Sequence, residues 1–242
     1  MEMKWAVFLT FCIFLASCGR ENSTDNGIIN LEEVINNPGE MKLSKIIDRI
    51  EYIRLETTEK SLIGHSYTGI SCTSSYIFVA EEDRPLKVFK RDGSFLRSVG
   101  KIGRGPGEYS GHCLFNYDHD KDELLILDSF RGEIRRYGID GTYYGDINGE
   151  DIASFGIISG GRICVSYRES VKDSTGIYNY AILDRDGNVL NKYLLPCDIF
   201  TRVPIEGTDK FMGYQISPTI YKSGEMLYID TKQNDTIFTI SD

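Results

Sequence analysis

The chain has 242 residues and a formal net charge of -9 at neutral pH. With 41% hydrophobic and 12% aromatic residues it is neither a disordered nor a low-complexity chain, and it is long enough to bury a substantial core. The acidic balance excludes nucleic acid and anionic lipid as partners held by general electrostatic attraction.

The first predicted element is a targeting segment over residues 1–17. Lys4 is a short positive region, and Trp5 to Phe14 is an apolar run too short to cross a bilayer, which takes roughly 20 residues. Leu15-Ala16-Ser17-Cys18 resembles the bacterial lipobox. The resemblance implies cleavage before Cys18, a thioether lipid on its thiol and acylation of the new amino terminus. Several chains then give durable anchoring, each buried CH₂ contributing about 0.8 kcal/mol. Residues 18–27 are small and polar, as a lipidated tether should be.

Residues 28–242 are predicted to be all-β. Three Asp-Gly turns recur, at Asp92-Gly93, Asp140-Gly141 and Asp186-Gly187, with 48 and 46 residues between successive aspartates. Asp-Gly between apolar-rich strands predicts a type I′ hairpin, in which both central residues take positive φ. The first two units align without a gap: Phe78-Val79-Ala80 matches Ile126-Leu127-Asp128, Leu86 matches Ile134, Phe89 matches Tyr137 and Phe95 matches Tyr143. A further strand precedes each unit, over Thr68 to Thr73 and His112 to Asp118. A fourth unit runs from Glu225 to Ile240, with Asp230 answering Asp128. Four-stranded units every 40 to 50 residues or so predict a β-propeller; a β-sandwich is the alternative architecture. The last unit stops about where its hairpin turn is due, so the expectation is a propeller domain incomplete at its C-terminal end.

Several segments invite a chemical reading. Gly103-x-Gly105-x-Gly107 lacks the following helix that a phosphate cradle needs and reads as a tight loop between blades. Its Arg104, Glu108 and Tyr109 are candidates to face a ligand. Asp118 to Glu123 is acidic, but the sixth and twelfth places of a calcium loop hold Glu123 and Ser129, so a hairpin turn is the better reading. Of the three histidines, His65 and His112 sit near first strands and are candidates for lining a central channel. Arg131, Arg135, Arg136 and Lys87 alternate with apolar residues and offer either a basic stripe for an anion or an ordinary polar strand face. Export permits disulfides, and Cys72, Cys113, Cys164 and Cys197 allow three pairings, but their spacing reads better as separate buried thiols on separate repeats. No catalytic set, metal site or cofactor motif stands out.

Ile50 to Thr57 resembles the opening strand of the six-bladed β-propeller lipoproteins of Gram-negative gut-type bacteria. Val99 to Tyr109, with its Gly-Arg-Gly-Pro-Gly-Glu-Tyr core, resembles their interblade segment and is similar to that of NHL repeats; Asn234 to Phe238 also follows their pattern. The resemblance implies six blades closed into a ring, from which this chain departs by presenting about four. Two arrangements are open: a six-bladed type cut to four blades, or a four-bladed ring in which the strand near Glu51 to Leu55 completes the last blade. The expected function is a binding or scaffold module at the cell envelope, lipid-anchored on the outer membrane, for an unknown glycan, peptide or protein. A propeller enzyme of lyase or hydrolase type with a channel-bound metal is the second reading, and a non-functional remnant of a longer gene the third.

Overall fold

A computed structural model describes residues 36, 42–45, 47–147, 149, 151–196, 200–215, 219–224, 226–232 and 236–240. The signal segment, the tether, Cys18 and Cys197 lie outside them. The chain divides into two units, Met1–Glu51 and Tyr52–Asp242. The described part of the first holds a 3-10 turn over Leu43–Lys45 and an exposed ion pair, Arg49 to Glu51 at 3.5 Å.

The second unit is built from antiparallel sheets. The first comprises β1 (Tyr67–Cys72), β2 (Tyr76–Glu81), β3 (Arg84–Lys90) and β4 (Phe95–Val99) in sequence order. A short parallel pair, β5 (Lys101–Ile102) with β6 (Glu108–Tyr109), follows. The second sheet is β7 (Cys113–Asp118), β8 (Glu123–Asp128), β9 (Glu133–Gly138) and β10 (Tyr143–Ile147); the third is β11 (Ile152–Ile157), β12 (Ile163–Asp173), β13 (Gly176–Leu183) and β14 (Val189–Tyr193). A hairpin of β15 (Phe200–Pro204) and β16 (Phe211–Gln215) precedes a three-stranded sheet of β17 (Thr219–Ser223), β18 (Met226–Asp230) and β19 (Ile237–Ile240). The four sheets stand in a ring, a four-blade β-propeller arrangement, with β1, β7, β11 and β17 innermost around one cavity.

The turns that set the repeat differ from the expected type. Gly93, Gly141 and Gly187 have φ of 89°, 86° and 86°, whereas the preceding aspartates do not take positive φ. Gly93 N–H donates to Lys90 O at 2.9 Å and Lys90 N–H donates to Ser94 O at 2.9 Å. This is a type I turn whose fourth residue forms a G1 bulge, not a type I′ turn. The carboxylate is what stabilises it: Asp92 Oδ1 accepts from Ser94 N–H and Asp140 Oδ1 from Thr142 N–H, both at 2.9 Å. In the third turn the acceptor moves to Asp184, which takes N–H bonds from Asp186 and Asn188 at 3.0 and 2.8 Å.

Packing follows strand alternation. Leu124 and Ile126 of β8 join Phe78, Leu86 and Val88 between the first two sheets, while Leu125 and Leu127 join Ile163, Val165 and Leu183 between the second and third. Cys164, Tyr180 and Ile182 meet Leu227 and Ile229 between the third and fourth. The remaining face of the first sheet, Ile77, Val79 and Phe89, is covered by Ile53, Leu55 and Ile63. The segment around Ile53 and Leu55 is irregular and hydrogen-bonds to the first sheet, Glu56 N–H donating to Gly93 O at 2.8 Å. Among the described residues it does not pair with β19, so it does not supply a fourth strand to the last sheet.

Candidate ligand-binding site

Asp128, the last residue of β8, is fully buried, and its carboxylate organises the turn that follows. It accepts from Ser110 N–H at 2.8 Å and from the Ser110 hydroxyl, and from Phe130 N–H at 3.1 Å and Arg131 N–H at 3.3 Å. Burial pushes the carboxyl upward. The bonds from Ser110, Arg131 and Phe130 outweigh that effect and leave it below the usual carboxylate range. The turn Ser129 to Gly132 is held from two more sides. Ser129 N–H donates to His112 O at 3.0 Å. Arg168, reaching from β12 of the third sheet, donates to Ser129 O and, at 3.3 Å, to Phe130 O; it also meets Asp151 at 3.4 Å.

A backbone fixed this way carries a side chain that is not buried: Phe130 is 72% exposed. Its ring borders two cavities. The larger, about 870 Å³, is walled by the innermost strands; Ile70, Ser71, His112, Leu114, Asn116 and Arg168 line it with Phe130. The smaller, about 490 Å³, lies among Ile102, Gly103, Arg104, Ser110, Phe130 and Arg131. Arg131 donates to Gly103 O at 3.3 Å and stands 3.7 Å from Asp128. The His112 and Phe130 ring centroids are 6.1 Å apart.

The sequence candidates fall out unevenly. His112 lines the larger cavity; His65 is exposed and does not, so the expected pair across the channel is not formed. Arg104 is exposed and lines the smaller cavity. Tyr109 is fully buried: its hydroxyl donates to Val99 O at 2.8 Å and accepts from Leu86 N–H at 2.7 Å. It is a bolt between the interblade loop and the first sheet, not a ligand-facing group. Gly100 permits that bolt, because it has φ of 72° and a Cβ there would sit 2.3 Å from the Tyr109 ring. Glu108 turns back on its own loop, accepting from Gly105 N–H at 2.9 Å. Cys18 is outside the described residues.

The basic stripe does not survive as a free surface. Lys87 is buried against Glu81, Arg135 is buried with Glu133 at 2.9 Å, and Arg136 forms a two-pronged bond with Glu123 at 2.9 and 3.1 Å. Asp118 is likewise committed, to Arg185 across the seam between the second and third sheets, and the acidic run is the β7–β8 hairpin. Cys113 and Cys164 are buried free thiols, both pushed up to about 12 by burial, with Asp128 adding to the effect at Cys113. Cys72 is also free but exposed, contrary to the expectation of burial. No carboxylate lines either cavity among the described residues.

Phe130 and Arg168 were missed by sequence reasoning. The signal for Phe130 was present: Asp128-Ser129-Phe130-Arg131-Gly132 puts a large aromatic inside a turn where small polar residues are the rule. Nothing local marks Arg168, which reaches its partners through the packing of two sheets.

No curated protein matches the chain. Among solved structures it is similar to a protein of Bacteroides fragilis NCTC 9343 described as a putative exported protein, at 18% identity and a TM-score of 0.61, over 80% of this chain and 52% of that one. The chain thus spans about half the length of that protein. The computationally designed Ika4 protein aligns at 12% identity and a TM-score of 0.46, over 79% of this chain and 98% of its own. The sequence pattern of one family, described as "Domain of unknown function (DUF4934)", matches residues 26–242, and the chain belongs to that family.

Proposed function

We propose that this chain is a ligand-binding module of the cell envelope, exported and held on the outer membrane by lipid on Cys18. The observation that carries the binding reading is the cavity of about 870 Å³ where the innermost strands of four sheets meet. Its wall mixes exposed apolar side chains, Ile70 and Leu114, with hydrogen-bonding ones, Ser71, His112 and Asn116. That is the composition of a recognition site: apolar area for affinity, a few polar groups for orientation. Among the described residues this wall holds one imidazole, a thiol pushed up to about 12 by burial, and no carboxylate. Export and anchoring are supported by the apolar run over Trp5 to Phe14 and the Leu-Ala-Ser-Cys sequence, and by the likeness to a protein described as exported.

The test is a thermal-shift screen of oligosaccharides and peptides against the detergent-solubilised full chain. A ligand at 100 times its Kd stabilises by about 2.7 kcal/mol, which raises Tm by several degrees. Ser71→Trp, an exposed position on the cavity wall, should abolish the shift without lowering the unliganded Tm by more than a degree or two. A ligand that stabilises wild type and Ser71→Trp equally binds elsewhere and overturns the reading. Palmitate labelling that persists in Cys18→Ser overturns the anchor.

A further inference from the structure

The turn Ser129 to Gly132 points to a particular ligand chemistry, and we infer that the site takes a carboxylate carried on a ring, as in a sugar acid or an aromatic acid. This inference rests on the binding reading above and deepens it. Three arginines line the two cavities that Phe130 borders: Arg104 and Arg131 the smaller, and Arg168 the larger. In a chain of net charge -9 this concentration of guanidinium groups runs against the average.

The way they are held matters. Arg168 is fixed mainly by the carbonyls of Ser129 and Phe130, and Arg131 by that of Gly103. Carbonyl acceptors orient a guanidinium without cancelling its charge, and each arginine has five N–H donors in a fork suited to a carboxylate. The acids nearby are Asp128, whose oxygens are taken mainly by Ser110 and by the Phe130 and Arg131 backbone N–H groups and which stands 3.7 Å from the Arg131 guanidinium, and Asp151, which meets Arg168 at 3.4 Å. Arg104 has no hydrogen bond or ion pair among the described residues. With no carboxylate on either wall among the described residues, a cationic ligand finds no counter-charge there, whereas an anionic one meets oriented donors.

Phe130 supplies the ring requirement. Exposing a large aromatic costs hydration free energy. This one is on a turn pinned by a buried aspartate, a neighbouring carbonyl and an arginine from the next sheet. A fixed flat apolar face next to oriented donors matches a planar or chair-form ring bearing an acid on its edge.

The experiment measures binding of digalacturonate, 2-naphthoate, neutral galactobiose and hexaglutamate to the full chain by isothermal titration calorimetry. Digalacturonate or naphthoate should bind, and which of the two is tighter identifies the source of the ring. Affinity should fall about tenfold in Phe130→Ala and about threefold in Arg104→Gln, and it should weaken at 0.5 M salt. Both variants alter exposed side chains, so folding is retained. Arg168→Gln should lose more, but it also loosens the turn and is read only beside the other two. Hexaglutamate binding as tightly as the ring acids overturns the ring requirement, and galactobiose binding as tightly overturns the carboxylate. A neutral ligand lost in Ser71→Trp but unmoved by Phe130→Ala overturns this inference while leaving the cavity reading intact. No binding by either ring acid overturns it outright.

Discussion

Strands β8 and β18 occupy the same place in two sheets and nearly share a sequence, Leu-Leu-Ile-Leu-Asp against Met-Leu-Tyr-Ile-Asp, yet they live in different surroundings. Every residue of β8 is buried, because a sheet packs on each of its faces. In β18 only Leu227 and Ile229 are buried; Met226, Tyr228 and Asp230, on the opposite face, are half-buried. Tyr228 stacks there on Tyr221 with centroids 5.3 Å apart. A continuous apolar run and an alternating one are thus the same strand with two neighbours or one. The pattern reports how many sheets a strand is expected to touch.

The comparison can be broken by substitution. Leu125→Ala in β8 should destabilise the chain by about 2–5 kcal/mol, as large-to-small changes in closed cores do. The Tm should fall by about 2–4 °C per kcal/mol. Tyr228→Ala should cost less than about 1 kcal/mol, since one side of that ring already meets water. Equal losses in a urea titration would mean that a further element covers the fourth sheet.

Asp128→Asn comes next. The carboxylate takes four hydrogen bonds, and weakening them should cost about 1–3 kcal/mol at neutral pH. The sign of the pH effect is fixed by the lowered pKa. The stabilising contribution is present above the unfolded-state value of 3.8 and is lost as pH falls through the lower folded-state value. Wild type should therefore lose its advantage over Asp128→Asn on acidification below about pH 4. A constant difference between the two from pH 7 to pH 3 would remove Asp128 from its assigned place.

The smallest effect is chemical. At pH 8, iodoacetamide should label Cys72 within minutes and leave Cys113 and Cys164 unmodified until the chain is unfolded, because only thiolates react and the two buried thiols are pushed up to about 12. Peptide mass spectrometry reads all three.

Much of the fold was legible because repetition multiplies weak signals. One Asp-Gly pair is ambiguous, but three at near-constant spacing, each with matched apolar positions, require equivalent sheets. The turn type was not legible, since Asp-Gly serves both type I′ turns and type I turns with a G1 bulge, and only the φ of the aspartate separates them. The β15–β16 hairpin was also missed, because it has no counterpart in the other units. At the site, the interblade loop drew attention for its glycines and charges, yet Tyr109 and Glu108 serve the loop itself. For Lys87, Arg135 and Arg136 a cationic stripe stayed open beside an ordinary polar strand face, because sequence shows charges without their partners. Phe130 and Arg168 owe their roles to contacts 38 residues apart in the chain, beyond any local pattern.

The seam between the second and third sheets is fastened at both ends, by Arg168 against the Ser129 and Phe130 carbonyls and Asp151, and by Arg185 against Asp118 and Glu123. Two sheets clamped at opposite edges resist both splaying and twisting, and the wall they form has little freedom to lose when something settles against it. Association should then be a single kinetic step whose observed rate climbs linearly with ligand concentration, without the plateau that a slow reshaping of the receptor would impose.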